Sequence, residues 1–90
     1  MEKSIEAYLR ETVKAAGGIA LKLVCPGWTG VPDRLVLLPG GRVFFAETKD
    51  TGKKPTKKQL YRHQQLRALG FRVYVPDSKT AVDEMMRYEL

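Results

Sequence analysis

Residues 30–49 read GVPDRLVLLPGGRVFFAETK, and this stretch decides the fold. A Pro-Asp pair opens the first apolar run, Pro-Gly-Gly separates the two runs, and the second run ends in Glu-Thr-Lys. Two apolar runs joined by a short glycine-rich turn predict an antiparallel β-hairpin with strands at residues 34–38 and 42–49. Such a hairpin brings Asp33 to the same end as Glu47 and Lys49. Two acids and a lysine at one end of two paired strands would make a compact hydrolytic site.

Side-chain alternation along the second strand places Glu47 and Lys49 on one face, together with Val43 and Phe45. Thr48 points to the opposite face. Burying a carboxylate and an ammonium at the end of an otherwise apolar strand costs free energy unless the charges pair or bind a metal. This cost is the physical reason to expect a functional site here.

The composition indicates one soluble domain. The chain has 90 residues, of which 43% are hydrophobic and 29% charged, a balance typical of a globular protein rather than a disordered one. No apolar run is long enough to span a bilayer, and the first residues, MEKSIEAYLRE, are too polar for a signal peptide. The single cysteine excludes an internal disulfide framework and a cysteine-based zinc site. We therefore expect an intracellular protein that contacts no membrane.

The net charge is +6, from sixteen Lys and Arg against ten Asp and Glu. In so short a chain this bias favours a polyanionic partner such as nucleic acid. The alternative is that the charge serves solubility alone. Charge by itself does not distinguish DNA from RNA, or binding from cleavage.

The remaining segments complete an α/β pattern in the order αβββαβ, followed by a C-terminal helix. Because a helix links the strand at 71–75 to the strand at 42–49, the two strands are expected to be parallel. A Gly/Pro-rich loop at 25–32 carries Trp28. We interpret this tryptophan as a lid or a packing anchor in preference to a base-stacking platform, although all three roles are open. The predicted helices are 4–16, 56–69 and one from about 78 to about 87, and the remaining strand is 19–24.

The residue types at the hairpin end suit metal-dependent phosphodiester hydrolysis. Asp33 and Glu47 supply two carboxylates, and the backbone carbonyl of Thr48 could supply a third oxygen. A divalent cation between two close acids relieves their repulsion. Lys49 could orient the attacking water or stabilise charge on the phosphate, and Gln59 could hold a water or a phosphate.

These residues carry a family resemblance. Pro32-Asp33, thirteen intervening residues and then Glu47-Thr48-Lys49 match the PD-(D/E)xK nuclease signature. That signature is short and common. Combined with the G-x-PD start, the hairpin turn, Lys22, the downstream Gln59 and the segment ALGFRVYV, it resembles a stand-alone member of the VRR-NUC family. The resemblance covers nearly the whole chain, to about residue 77.

The resemblance implies a restriction-endonuclease-like fold and a DNA endonuclease that uses Mg²⁺ or Mn²⁺, with no small-molecule cofactor. It also implies a homodimer that acts on branched DNA such as Holliday junctions, and a phage or prophage origin. A hydrophobic residue is more usual in the family at the position of Thr48. The implied catalytic residues are Asp33, Glu47, Lys49, Gln59 and a helix acid at Glu6, with Glu2 as the alternative; Glu6 would join the metal ligands.

Several residues keep a second interpretation. Gln59 has the spacing of a capping box with Thr56 and needs no substrate for that role. Lys22 could be an edge residue reaching water, or it could point toward phosphate. His63 is expected to be solvated or to face DNA. The basic run could contact phosphates or form a solvated face; its members are Lys53, Lys54, Lys57, Lys58 and Arg62.

A second function hypothesis is a non-catalytic, basic nucleic-acid-binding module in which the acids are structural. A protein that only binds DNA has no reason to place Asp33 and Glu47 on a phosphate-facing surface, where they would repel it. The complete set of two acids and a lysine therefore favours the nuclease hypothesis.

Overall fold

The structure is a computed structural model that describes residues 2–90, with side chains described from Ser4 onward. It confirms the predicted α/β class and the order of the elements. The elements are α1 (Glu2–Ala15), β1 (Ile19–Lys22), β2 (Arg34–Leu38), β3 (Arg42–Ala46), α2 (Lys57–Ala68), β4 (Val73–Tyr74) and α3 (Lys79–Glu89). None of the helices within residues 2–90 is long and apolar enough to cross a membrane.

The four strands form one mixed sheet in the order β1-β2-β3-β4. The first three are antiparallel neighbours, and β4 runs parallel to β3, as predicted for a helical crossover. Arg34 on β2 pairs with Lys22 on β1 and with Ala46 on β3. This register brings the N-terminal end of β2 and the C-terminal end of β3 together at the same end of the sheet.

One face of the sheet forms the core because the apolar stripes of α1 and α3 pack on it. Helical spacing of three and four residues aligns the apolar side chains of each helix on the side that faces the sheet. The sheet contributes Val36, Leu38, Phe44 and Ala46, and the helices contribute Ile5, Leu9, Val13, Val82, Met85 and Met86.

The other face of the sheet is only partly covered. Helix α2 lies near β4 on this side and buries Leu66. Toward β1 the apolar side chains become exposed, with Leu21 43% and Ile19 58% accessible to solvent. Leu35 and Leu37 of β2, which pair with them, are half-buried.

The strand that carries Glu47 is shorter than predicted. Residues 42–49 were expected to form one strand, and β3 ends at Ala46. Beyond that point the chain stays bonded to the β4 side: the N–H groups of Glu47 and Lys49 donate to the carbonyls of Tyr74 (2.9 Å) and Pro76 (3.1 Å). These two bonds hold the segment alongside the β4 side of the sheet.

The last residue of helix α3, Glu89, is buried and bound to the sheet. Its carboxylate accepts hydrogen bonds from Arg42 (Nε, 3.2 Å), Arg72 (Nη2, 2.9 Å) and the Tyr74 hydroxyl. The three donors come from β3 and from the segment that leads into and forms β4. The carboxylate thus ties the end of the helix to both strands.

Candidate active site

Asp33 directly precedes β2, and Glu47 directly follows β3. Arg34 pairs with Ala46, so continuing the antiparallel register by one residue places Asp33 opposite Glu47. Directly opposed residues in such a pair point to the same face of the sheet. The Glu47 carboxylate lies on the face that α2 partly covers, since it contacts His63. That Asp33 shares this face stays a prediction.

The Glu47 carboxylate is wholly buried and lies between two nitrogen-bearing side chains. Its Oε2 is 3.6 Å from the Lys49 ammonium, and its Oε1 is 3.5 Å from Nε2 of His63. Lys49 itself remains slightly accessible to solvent. Pairing with Lys49 offsets part of the free-energy cost of burying the Glu47 carboxylate. The strand pattern implied that these charges must pair or bind a metal.

His63 corrects an expectation from the sequence. It was expected to be solvated or to face DNA, but its side chain is wholly buried against Glu47. Burial lowers the pKa of His63, and the positive charges of Arg67 and Lys49 lower it further. Its spacing of four residues from Gln59 places both on one side of α2, and this spacing was the available sequence signal.

Gln59 forms the capping box that its spacing from Thr56 predicted. The Thr56 N–H donates to Oε1 of Gln59 (2.8 Å), and the Gln59 N–H donates to the Thr56 hydroxyl (3.2 Å). Helix α2 therefore begins at a fixed point beside the site. A direct role of Gln59 toward water or phosphate stays a prediction.

Glu6 is paired with an arginine in this structure. Arg34 Nη2 lies 3.0 Å from its Oε1, and Arg10 Nε lies 4.0 Å from the same oxygen. Arg34 neighbours Asp33 but points to the opposite face of the sheet, on the side of α1. The role of Glu6 as a metal ligand stays a prediction, and the side chain of its alternative, Glu2, lies outside the described residues.

The loop with Trp28 is fastened to α2 by Arg62. The Arg62 guanidinium lies 4.5 Å from the centre of the Trp28 ring, and its Nε donates to the Thr29 carbonyl (2.8 Å). Gly30 permits this approach because a Cβ there would lie 2.7 Å from Cγ of Lys58. Trp28 thus acts as a packing anchor, and Arg62, predicted to contact DNA, is engaged within the protein.

Comparisons with known proteins identify the family of this chain. No family model matches the chain. A solved structure described as a VRR_NUC domain superimposes with a TM-score of 0.93 at 37% identity, covering 99% of this chain and 97% of the other. The chain belongs to the VRR_NUC family. It is also 54% identical over 78 residues to the "Putative nuclease p44" of Acyrthosiphon pisum secondary endosymbiont phage 1, covering 87% of this chain and 84% of the relative.

The VRR_NUC site presents oxygen donors that suit a hard divalent cation. Among the described residues no group of three or more His, Cys, Asp or Glu side chains is arranged to hold a metal ion. Two carboxylates, Asp33 and Glu47, can be joined by the backbone carbonyl of Thr48. Because the N–H groups of Glu47 and Lys49 point to β4, the backbone of Thr48 points to the β2 side. Mg²⁺ needs few protein ligands because it retains several waters, so this donor set fits.

The predicted DNA-contacting lysines of this VRR_NUC domain are all exposed. Four of them follow the site directly, in the loop after Lys49 and at the start of α2, and Lys22 lies on the edge strand β1. Their exposure leaves the ammonium groups accessible to a ligand. Contact with phosphate stays a prediction for these residues, which are Lys22, Lys53, Lys54, Lys57 and Lys58.

Proposed function

We propose that the protein is a DNA endonuclease that hydrolyses phosphodiester bonds with Mg²⁺ or Mn²⁺. The observation that carries the proposal is the buried Glu47 carboxylate with the Lys49 ammonium 3.6 Å away, at the end of a hairpin whose last pair is Arg34 with Ala46. Asp33 is the next residue on the opposing strand, so the same register would set it across from Glu47. Membership of the VRR_NUC family and the similarity to a protein named as a nuclease support it. The phage relative also supports a phage or prophage origin. We propose that the protein acts inside the cell.

Each site residue has a defined task in this reaction. Asp33, Glu47 and the Thr48 carbonyl would hold the cation. When bound, that cation supplies a Lewis acid that polarises the phosphate and lowers the pKa of a bound water. Lys49 lies on the same face as Glu47, and its ammonium can donate to the attacking water or to a phosphate oxygen as negative charge develops. Glu6 would complete the ligand set once its carboxylate separates from Arg34.

Metal removal tests the proposal. Purified protein is incubated with labelled four-way junction, flap, nicked duplex and plain duplex, in Mg²⁺, in Mn²⁺ and in EDTA. We expect cleavage in Mg²⁺ or Mn²⁺ and none in EDTA. Cleavage that persists in EDTA would contradict the metal mechanism. DNA binding without cleavage in either metal would favour the non-catalytic nucleic-acid-binding module.

We further propose that the enzyme prefers branched DNA such as Holliday junctions and acts as a homodimer. One site cuts one strand, and a 90-residue domain offers little surface with which to grip a junction. Two-fold pairing would present two sites to two symmetry-related strands. The partly covered sheet face, with Ile19 and Leu21 at its exposed end, offers an apolar surface that a second copy could cover.

A lysine at position 21 should weaken the dimer. Leu21→Lys places an ammonium in the proposed interface, whereas the fold tolerates it because Leu21 is already 43% exposed. Sedimentation velocity should show monomer for this variant and dimer for wild type. Leu60→Lys is the matched control, since Leu60 is equally exposed but lies on α2. A dimer that persists in Leu21→Lys would exclude this face as the interface.

The lysines after the site should contribute to DNA affinity through phosphate contacts. Each phosphate contact adds about 0.9 to the slope of log affinity against log salt. Replacing Lys53, Lys54, Lys57 and Lys58 by glutamine should therefore lower this slope by roughly 2–4. The control is Lys14→Gln with Arg87→Gln, two exposed charges outside this loop and helix start. An unchanged slope, measured by fluorescence anisotropy, would remove the four lysines from the DNA-binding surface.

A further inference from the structure

His63 lies beside the proposed metal ligand Glu47 and is completely enclosed. Its Nε2 is 3.5 Å from one carboxylate oxygen of Glu47, and the Lys49 ammonium is 3.6 Å from the other. Each oxygen of the carboxylate thus faces a different side chain. This arrangement restricts how the carboxylate can turn about its Cγ–Cδ bond.

Packing alone does not account for a histidine at this position. Neither ring nitrogen of His63 has a hydrogen-bonding partner among the described residues. A buried polar group without a hydrogen bond is costly, so an aliphatic side chain would fill the same space more favourably. Leu66, nearly one turn later on α2, shows that this side of the helix accepts one.

The position of His63 is fixed by contacts at the start of its own helix. The capping box of Thr56 and Gln59 sets where α2 begins. The contact between Arg62 and Trp28 then holds the helix against the loop that leads to Asp33. His63 therefore reaches Glu47 from a helix that is held by its capping box and by the contact of Arg62 with the Trp28 loop.

We propose that His63 is a positioning residue that orients the Glu47 carboxylate for metal binding. This proposal rests on the function proposed above, because both concern the same site. Its imidazole lies 3.5 Å from Oε1 and occupies the space into which that oxygen would turn, so that the carboxylate presents a restricted range of orientations to the cation and to Lys49. Side chains that orient a metal ligand in this way typically change metal affinity by about 10- to 100-fold when they are removed.

The test measures Mn²⁺ affinity without DNA, by isothermal titration calorimetry at one pH. His63→Gln keeps an amide nitrogen near the position of Nε2, His63→Asn keeps one that is too short to reach Glu47, and His63→Leu keeps none. We expect Mn²⁺ binding about 10- to 100-fold weaker in the Asn and Leu variants and close to wild type in the Gln variant. Gln64→Leu, at an exposed position on the same helix, should bind like wild type.

Urea unfolding of the same variants separates positioning from simple packing. A packing role would lower stability in the Asn and Leu variants while the folded fraction bound Mn²⁺ normally, and that result would overturn the proposal. If His63→Leu does not fold, the Mn²⁺ affinities of His63→Gln and His63→Asn test the proposal without it. Wild type that neither binds Mn²⁺ nor cleaves DNA would overturn the proposed function itself. If wild type binds Mn²⁺ and cleaves DNA, but His63→Asn and His63→Gln bind Mn²⁺ equally, only the role of His63 is overturned.

Discussion

A Glu47→Gln variant is expected to cleave DNA at least about a thousandfold more slowly than wild type and to remain folded. Glutamine keeps the shape of the side chain but removes the negative charge that would hold the cation. Metal-supplied stabilisation of the transition state amounts to several kcal/mol, and each 1.4 kcal/mol is about tenfold in rate. The loss should appear in the single-turnover rate with Mn²⁺ and in the Mn²⁺ affinity.

Glu11→Gln is the matched control, because it removes an equal charge at an exposed position on α1. Its rate should match that of wild type. Circular dichroism and urea unfolding should show that both variants are folded. A Glu47→Gln rate within tenfold of wild type would remove Glu47 from the catalytic site and would favour the structural interpretation of the acids.

The hairpin and its register were predictable because their determinants are local. A turn of Pro39, Gly40 and Gly41 between two apolar runs fixes which residues pair. The period of two then fixes which side chains share a face. From these two rules we predict the juxtaposition of Asp33 and Glu47 without knowledge of the rest of the chain. The mixed sheet was predictable for a similar reason. Helix α2 connects β3 to β4, and such a helical connection predicts that the two strands are parallel.

The burial of His63 was not predictable in this way because it depends on how α2 docks. The helix sequence, KKQLYRHQQLRA, has no continuous apolar stripe that would identify its inner side. Leu60 and Tyr61 are exposed, whereas His63 and Leu66 are buried. The contact of Arg62 with Trp28 also depends on how α2 docks. For this reason the sequence suggested that Arg62 contacts DNA, whereas in the structure it binds the Trp28 loop.

The burial of Glu89 depends on two distant arginines. Glutamate is rarely fully buried unless it is paired, and nothing local in the last helix indicates its partners. Arg42 comes from the turn end of the hairpin and Arg72 from the segment before β4. Only the folded sheet brings them together, and this explains why the helix extends past the predicted end near residue 87.

Replacing Glu89 by glutamine should destabilise the protein by about 3 kcal/mol at neutral pH. Removing one partner of a buried ion pair costs roughly 3–5 kcal/mol. The lower value is expected here because the Arg42 and Arg72 side chains, 43% and 37% exposed, can rehydrate. The free energy of unfolding in urea measures the effect, and Glu84→Gln, at an exposed position on the same helix, should change it little.

The same contact should make stability depend on acid pH. Burial raises the pKa of Glu89, but the hydrogen bonds from Arg72 and Tyr74 outweigh burial and hold that pKa below its usual 4.5. The unfolded chain therefore binds more protons near and below pH 4.5, so this stabilisation is present above that pH and is lost as pH falls through the native pKa. The difference between wild type and Glu89→Gln should consequently shrink between pH 5 and about pH 3. A constant difference across that range would show that Glu89 contributes through packing and not through its charge.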